Sequence, residues 1–251
     1  MRKSLGLLSL CILSAAIASY VTWIQIRPSE HYLPDLRSQL VLNQGQPGDK
    51  GNLLGIQPEL FAADYQSPER LRLKFAAYLN KARIEGLLNS KTIVVLPEHT
   101  GTWLVASGEK PEVYQAASVS DAMLWLAAGN PLQLAYALLN AQGQDRLADA
   151  LFRMKAEQMA HDYQAIFGSL AKEYGVTLVA GSIVLPTPMV KNGVLQVSDG
   201  PLYNVSQVFA RDGTALGQPQ RKVVPIIDEQ GFTAASPASA LKVIDTPAGR
   251  L

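Results

Sequence analysis

The longest apolar stretch of the chain lies at its N-terminus. Leu5 to Ile26 are 22 residues without a charged side chain, and Arg2 and Lys3 precede them. A helix of this length spans about 33 Å at 1.5 Å per residue, close to the thickness of a bilayer's hydrocarbon core. The pattern therefore predicts a transmembrane signal anchor over residues 1–26.

A cleaved signal peptide is the alternative interpretation of this segment. Ala16-Ile17-Ala18 would suit a small-residue cleavage site. Apolar residues continue past that site to Trp23 and Ile26, which favours a retained single-pass anchor. Because the basic pair precedes the apolar run, the N-terminus is expected in the cytoplasm. Either interpretation exports the rest of the chain, to the periplasm if the cell is bacterial.

Short apolar strands follow a linker predicted over residues 27–51, where Pro28, Pro34, Pro47 and Gly48 lie among polar residues. Each predicted strand is a β-branched or apolar run that ends at glycine, proline or polar residues. They cover Asn52–Gln57, Thr92–Leu96, Val176–Leu185, Leu202–Ala210 and a strand near Arg221. The unbroken Thr92–Leu96 run is typical of a strand covered on both faces. Asp212-Gly213 predicts a hairpin between the last two strands.

Helical patterns alternate with these strands. Ser67 and Pro68 predict a helix start, as N-cap and first helical residue. Apolar residues then recur along one helical face, at Leu71, Phe75, Tyr78 and Ala82. Asp145–Tyr174 is a candidate for one long helix that ends before Gly175. This alternation predicts a layered α/β domain over residues 52–251.

An apolar insertion interrupts the alternation at about residues 103–155. Within it, Ser118 to Gln142 are rich in leucine and aromatic residues and carry one charge, Asp121. The favoured prediction is a helical pair packed on the flank of the domain. A membrane-facing or substrate-gating lid is the alternative.

The composition of the chain excludes several classes of function. Lys and Arg number 22 and Asp and Glu 21, so the net charge of +1 shows no basic excess for a nucleic-acid partner. The single cysteine, Cys11, lies in the apolar run and excludes an intrachain disulfide framework or a cysteine-rich zinc site. The three histidines show no metal-ligand spacing. No metal or organic cofactor is predicted.

Three ionisable residues are candidates for chemistry, since no GxSxG, GxxxxGK[ST] or GxGxxG motif occurs. Glu98 follows the Thr92–Leu96 strand, where partial burial would raise its pKa towards that of a general base. Lys222 follows the hairpin, and a desolvated ammonium can stabilise an oxyanion. Glu229 comes seven residues later, close enough to fold back on Lys222.

In their local settings these residues resemble the nitrilase superfamily of carbon–nitrogen hydrolases. The similar segments follow the family's order along the chain. They are Gly55-Ile56-Gln57, Val94-Val95-Leu96-Pro97-Glu98, Val179-Ala180-Gly181-Ser182, Tyr203-Asn204, Asp212-Gly213, Arg221-Lys222-x-x-Pro225-x-x-x-Glu229 and Asp245 to Leu251. The resemblance covers Asn52 to Leu251 apart from the insertion.

The resemblance implies an α-β-β-α sandwich and a Cys-Glu-Lys mechanism. Glu98 would be the general base, Lys222 the partner of the oxyanion and Glu229 the second carboxylate that positions the others. The substrate would be a small-molecule amide, nitrile or acyl compound. Because family members usually pair their sheets across a dimer interface, a homodimer is also expected.

The family's nucleophilic cysteine has no counterpart in this sequence. In the family it follows a segment like Asp245–Leu251, about five residues beyond the last residue here. The simplest expectation is a sandwich incomplete at its C-terminus, from a longer hydrolase, and the 251-residue chain itself is expected to be inactive. The alternatives are a non-catalytic, membrane-anchored pseudohydrolase that binds a ligand or partner, and an exported scaffold without a site.

Overall fold

The computed structural model describes residues 2–27, 31–45 and 49–251 of the chain. Pro28, Pro47 and Gly48 of the predicted linker therefore lie outside the described residues. The part of the linker that is described between 31 and 45 contains no helix or strand. It nevertheless contacts the domain, because Tyr32 hydrogen-bonds to Asp64 and the Lys74 ammonium donates to the Asp35 carbonyl at 2.5 Å.

The described residues form six α-helices, two of them much longer than the others in the folded domain. Their bounds are Arg2–Gln25 (α1), Pro68–Ile84 (α2), Pro111–Gln115 (α3), Val119–Gly129 (α4), Pro131–Asn140 (α5) and Arg146–Tyr174 (α6). α1 contains an apolar segment, Gly6–Gln25, with a mean hydropathy of 2.0 and no part buried. A helix of this length and composition serves as a membrane anchor or a signal sequence.

The predicted start of α2 and the predicted start and end of α6 are confirmed. Ser67 caps α2 by accepting a hydrogen bond from the Arg70 amide, and Pro68 is the first helical residue. Asp145 caps α6 in the same way, from the Ala148 amide. Gly175 ends α6 at φ 64°, a left-handed conformation that favours glycine. Local sequence signals therefore set the ends of both helices.

Ten strands are present among the described residues, and six of them make the main sheet. Their bounds are Asn52–Gly55 (β1), Thr92–Val95 (β2), Thr177–Val179 (β3), Ile183–Pro186 (β4), Met189–Lys191 (β5), Val194–Gln196 (β6), Leu202–Phe209 (β7), Ala215–Arg221 (β8), Asp245–Thr246 (β9) and Gly249–Arg250 (β10). β1, β2 and β3 are parallel, and β7 runs antiparallel to β3, β4 and β8. The α/β class predicted from the sequence is thus confirmed.

Val176–Leu185 does not form the single strand predicted. It divides into β3 and β4, and both halves pair with the same edge of β7. Gly181 lies in the break with φ +69°, and a β-carbon there would be 2.2 Å from the Pro97 carbonyl oxygen. The close approach of the turn after β2 therefore breaks the strand, and only glycine fits both the conformation and the space.

The hydrophobic core lies between one face of the sheet and the two long helices α2 and α6. Val94 and Leu178 face it from the sheet, and Phe75 and Phe167 meet edge to face with their ring centroids 5.5 Å apart. On the opposite face, Val95 is 37% exposed. β2 is therefore covered on both faces from Thr92 to Val94, as its apolar run predicted, and it is open on the second face only at Val95, its last residue.

The insertion forms the predicted helical pair, with α4 and α5 meeting at an angle of 105°. Leu126 of α4 and Ala137 of α5 are buried against the domain, while other apolar side chains of the pair are exposed. The insertion has no structural boundary near residue 155, because α6 runs through that position without a break.

Candidate active site

The sheet ends and the loops beyond them bring the three predicted site residues together. Glu98 lies in the turn after β2, Lys222 directly after β8, and Glu229 in the loop that follows. Lys222 Nζ is 2.8 Å from Glu98 Oε1 and 2.6 Å from Glu229 Oε2. One ammonium thus bridges two carboxylates that are far apart in the sequence.

Glu98 is more exposed than the sequence suggested. Its side chain retains 51% of its accessible surface, so the carboxylate is only half buried. The strand ends at Val95, and three residues of turn carry the carboxylate out to the rim of the site. From there the oxygen atoms can reach a molecule in solution as well as Lys222.

Lys222 is a charged donor held between its two partners. Burial acts against its charged form, but the hydrogen bonds from its ammonium to Glu229 and Glu98 outweigh this effect and raise the pKa of Lys222 above the ordinary value of 10.5. Its backbone amide also donates to the Asn204 carbonyl at 2.8 Å. The side chain is therefore cationic at neutral pH and fixed in direction.

Glu229 is the buried carboxylate of the cluster, with 4% of its side chain exposed. Burial alone would raise the pKa of Glu229, but hydrogen bonds from Lys222, the Ile226 amide and Asn204 outweigh it and hold the pKa below the ordinary value of 4.5. Glu229 is thus ionised at neutral pH and has its oxygen atoms fully engaged.

Asn204 links the two carboxylates through its side-chain amide. Its Nδ2 donates to Glu98 Oε1 at 2.9 Å and to Glu229 Oε1 at 2.8 Å. Asn204 is buried on β7, in register with Val184 of β4. The rigid sheet therefore sets the separation of the two carboxylates.

His99 belongs to the cluster, although it was not among the site residues predicted from the sequence. Its Nε2 lies 2.9 Å from Glu229 Oε1, and its Nδ1 lies 3.1 Å from the Thr102 hydroxyl. An imidazole that donates from Nε2 to Glu229 accepts at Nδ1 from Thr102. The one available signal was its position directly after Glu98, at the end of a strand.

The turn from Pro97 to Gly101 is held against the break between β3 and β4. The His99 amide donates to the Ser182 hydroxyl and the Gly101 amide to the Ser182 carbonyl, both at 2.8 Å. His99 has φ 61°, an uncommon conformation for a residue with a side chain. These bonds hold the turn in place, so that Glu98 and its neighbour His99 both lie in the site. His99 lies beside the Glu229 carboxylate.

Three side chains of the cluster could together bind a metal ion. One ligand atom each from Glu98, His99 and Glu229 lie within 4.8 Å of one another. The Lys222 ammonium, however, already occupies a position between the two carboxylates and supplies their positive partner. The donor set as arranged fits an ammonium better than a divalent cation.

Two open spaces border Glu98. One is a cavity of about 470 Å³ whose walls are mainly apolar, with Phe61, Tyr65, Trp103 and Val119 among them and His99 at the same end as Glu98. The other is a groove of about 270 Å³ bordered by Glu98, Asn204 and Lys222. The cluster therefore separates a polar groove from an apolar cavity, and Glu98 faces both.

Among known proteins, the chain is similar in part to a protein named as a probable hydrolase. No family model matches the chain. "Probable hydrolase YhcX" of Bacillus subtilis (strain 168) is 27% identical over 94 residues, which are 38% of this chain and 16% of that protein. The relative is thus similar to a limited part of the chain.

Two solved structures are similar over a larger part of it. Nit3 of Saccharomyces cerevisiae, a member of branch 10 of the nitrilase superfamily, covers 79% of this chain with a TM-score of 0.37 and 16% identity. A carbon-nitrogen hydrolase from Helicobacter pylori G27 covers 74% with a TM-score of 0.41 and 14% identity. The chain spans 50% and 44% of the lengths of these two proteins.

Proposed function

We propose that the chain carries the Glu-Lys-Glu part of the active site of a membrane-anchored carbon–nitrogen hydrolase. The reaction would be hydrolysis of an amide or nitrile, or amide-forming acyl transfer. The observation that supports this proposal is the Lys222 ammonium held between Glu98 and Glu229 at 2.8 and 2.6 Å.

The three residues would divide the work according to their exposure. Glu98, on the rim, would take the proton of an attacking thiol and return it to the leaving nitrogen. Lys222 would stabilise the oxyanion that forms on the attacked carbon, since its charge is already fixed towards the site. Buried Glu229 would hold Lys222 in position and not exchange protons itself, because its oxygen atoms are occupied.

The proposal needs a cysteine thiol that the 251 residues do not place in this cluster. Cys11, the single cysteine, lies in α1. With a thiol in the groove beside Glu98, the sulfur would attack the amide carbon as Glu98 removes its proton. The carbon–nitrogen bond would then break as Glu98 protonates the nitrogen, and water or an amine would release the acyl group from sulfur.

The apolar cavity is the proposed binding site for the substrate's non-reacting part. Apolar walls with a few polar groups at one end are typical of small-molecule sites. The reacting carbon would lie near Glu98 and the rest of the molecule between Phe61, Trp103 and Val119. We therefore expect substrates with an apolar group to be preferred to fully polar ones.

Membrane attachment through α1 is the other part of the proposal. The apolar run continues beyond Ala18 to Gln25, and its aromatic residues Tyr20 and Trp23 lie at the end nearest the domain, as at a membrane interface. The domain would lie outside the cytoplasm. A membrane-bound protein of unshortened mass in the cell supports the anchor, and a soluble product cleaved near Ala18 contradicts it.

The decisive experiment begins with the reading frame beyond the codon of Leu251. A continuing frame with a cysteine shortly after it supports the enzyme, and its product is then assayed for release of ammonia or amine. Lys222→Ala and Glu98→Gln should each lower kcat by about 10²–10³, the usual cost of losing an oxyanion donor or a comparable group. Lys191→Ala, on exposed β5, is the control and should leave kcat unchanged.

Two outcomes contradict the proposal. A stop codon after Leu251 would favour the non-catalytic pseudohydrolase, which binds a ligand at the cluster without turnover. Full activity of Lys222→Ala would show that the cluster has no part in the reaction.

A further inference from the structure

The helical pair α4–α5 carries an exposed apolar surface that the proposed reaction does not use. Its large side chains are exposed to between 42% and 85%, and they belong to both helices. They are Val119, Leu124, Trp125, Leu132, Tyr136 and Leu139. From Ser118 to Gln142 the sequence has one charged residue, Asp121, at the start of α4. A continuous apolar surface of this kind marks an interaction site rather than ordinary solvent exposure.

The end of α1 contacts this same helical pair. The Tyr20 hydroxyl donates to the Ala128 carbonyl at 2.7 Å, and the rings of Trp23 and Trp125 have centroids 6.1 Å apart. These contacts join the last turns of α1 to α4.

Arg27, just past the end of α1, reaches the bend between α4 and α5. We call this bend, Gly129 and Asn130, the elbow. Its guanidinium donates to the Gly129 carbonyl at 3.3 Å and to Asn130 Oδ1 at 3.1 Å. It also pairs with the fully buried carboxylate of Glu109 at 2.6 Å. Lys155 of α6 pairs with the same carboxylate at 2.6 Å, so the elbow, α6 and the end of α1 are joined through one buried group.

We propose that the α4–α5 surface docks onto the leaflet of the bilayer from which α1 emerges. The inference rests on the membrane anchor of the proposed function. If α1 spans the bilayer, its contacts hold the elbow at the membrane surface, and the exposed leucines lie at the depth where apolar side chains of interfacial helices insert.

The lipid contact is apolar rather than electrostatic. Interfacial helices that bind anionic lipids carry lysine and arginine on their polar face. Residues 118–142 have neither. Docking should therefore be as strong on zwitterionic vesicles as on anionic ones, and salt should leave it unchanged.

The surface also borders the apolar cavity. Val119 and Ala122, in the first turns of α4, line the cavity that opens at Glu98. Because Val119 belongs both to the exposed surface and to the cavity wall, a docked α4 would place the cavity next to the membrane, so that an apolar substrate could pass between them without crossing water.

The test uses fluorescent labels on the full chain in phosphatidylcholine vesicles. Because Cys11 is the single cysteine, a Cys11→Ala background allows one label at a time. Leu132→Cys and Leu139→Cys, which are 85% and 80% exposed, report on docking, and Leu13→Cys in α1 reports on the anchor. Ile84→Cys is the matched control, an apolar residue 82% exposed at the end of α2. It lies near the beginning of β1, where Asn52 bonds to Leu87, at the end of the sheet away from the cavity.

A nitroxide lipid should quench the labels at Leu132 and Leu139 at least about twofold more than the label at Ile84, because the docked face lies about 5–10 Å into the headgroup boundary. Quenching at Leu13 alone would overturn docking and leave the anchor intact. Shielding of Leu132 and Leu139 with energy transfer between labelled copies, and without lipid quenching, would identify a contact between two chains and also overturn it. No quenching at Leu13 would contradict the anchor itself.

Discussion

His99 Nε2 lies 2.9 Å from Glu229 Oε1, on the side of that carboxylate opposite the Lys222 ammonium. The buried carboxylate therefore has a separate partner at each of its oxygen atoms. Asn204 completes the set at Oε1. Glu229 thus acts as the fixed centre of the cluster, and His99 is one of the groups that hold it.

His99 is a positioning residue, and its replacement should disturb the orientation of Glu229. Asparagine tolerates the φ of 61° found here but is too short to reach Glu229 from this position. In a longer product that supplies the cysteine, we expect His99→Asn to lower kcat about tenfold, within the range of effects of a misplaced catalytic group, with little change in stability. His99→Gln, a longer amide donor, should recover part of the loss.

The KM and the stability of His99→Asn separate positioning from a purely structural role. A positioning role predicts a lower kcat with KM and the free energy of unfolding near their wild-type values, and recovery of kcat in His99→Gln. A variant that loses activity only through unfolding would show that His99 has a structural role alone. His161→Asn, at an exposed histidine on α6, is the control.

The stability of the cluster should depend on pH at the acid end. The folded-state pKa of Glu229 lies below 4.5, so its stabilising bonds are complete above that pH and are lost as pH falls through the folded value. Lys222 has the opposite sign, because its raised pKa means that its contribution is lost only as pH rises through a value above 10.5.

Glu229→Gln should remove the part of the pH dependence of stability that lies at the acid end. At pH 7 it should cost about 1–3 kcal/mol, the usual effect of losing hydrogen bonds to a buried charged group. Below pH 4 the difference from the wild type should shrink. Thermal unfolding of both proteins at several pH values in one detergent measures this, with Glu173→Gln in a half-exposed pair as control. A difference that stays constant with pH would contradict the assigned shift.

Gly181 should be intolerant of a side chain. Alanine at φ +69° costs about 1–2 kcal/mol through its backbone alone. Its β-carbon would in addition meet the Pro97 carbonyl oxygen at 2.2 Å and displace the turn that carries Glu98. We expect Gly181→Ala to be clearly less stable than this backbone cost implies and to lose activity.

Gly86 provides the matched control for this effect. It has nearly the same φ, +71°, and nothing lies within 4 Å of the position of its β-carbon. Gly86→Ala should lose only the stability that the backbone conformation costs, about 1–2 kcal/mol. Equal free energies of unfolding for the two alanine variants, measured by denaturant titration, would show that the contact with Pro97 is unimportant.

Glu109 should be needed for stability. Its carboxylate is fully buried between Arg27 and Lys155, and Glu109→Ala would leave both cations without it. Because Arg27 is one-third exposed, we expect a loss near the lower end of the range for broken buried pairs, about 3 kcal/mol. Glu85→Ala, in an exposed pair with Lys81, should change stability by less than about 1 kcal/mol. Similar losses of stability in the two variants would contradict the importance of the buried ion pairs of Glu109.

Local signals made much of the fold predictable. The starts of α2 and α6 follow from a capping residue, and the end of α6 follows from a terminal glycine, and these residues contact only their neighbours in sequence. The β7–β8 hairpin follows in the same way from Asp212-Gly213. These features need no knowledge of distant parts of the chain.

Features that depend on distant contacts were missed. The break between β3 and β4 exists because Pro97 approaches Gly181, and an apolar run such as Val176–Leu185 contains no sign of that approach. The exposure of Glu98 and the contact of His99 with Glu229 likewise depend on where a later loop folds. The resemblance to a family placed Glu98, Lys222 and Glu229 in one site because it carries information about the whole fold. Their roles in catalysis stay predictions.

If α1 spans the bilayer as proposed, helix α4 connects the membrane to the cavity. Its first turns form part of the cavity wall at Val119 and Ala122, and its last residue, Gly129, accepts a hydrogen bond from Arg27 at the end of α1. A helix of this length is stiff, so α1 would not tilt against the domain without moving the cavity wall or breaking the bonds around Arg27. Bilayer thickness, which influences the tilt of a spanning helix, would then be mechanically connected to the width of the cavity.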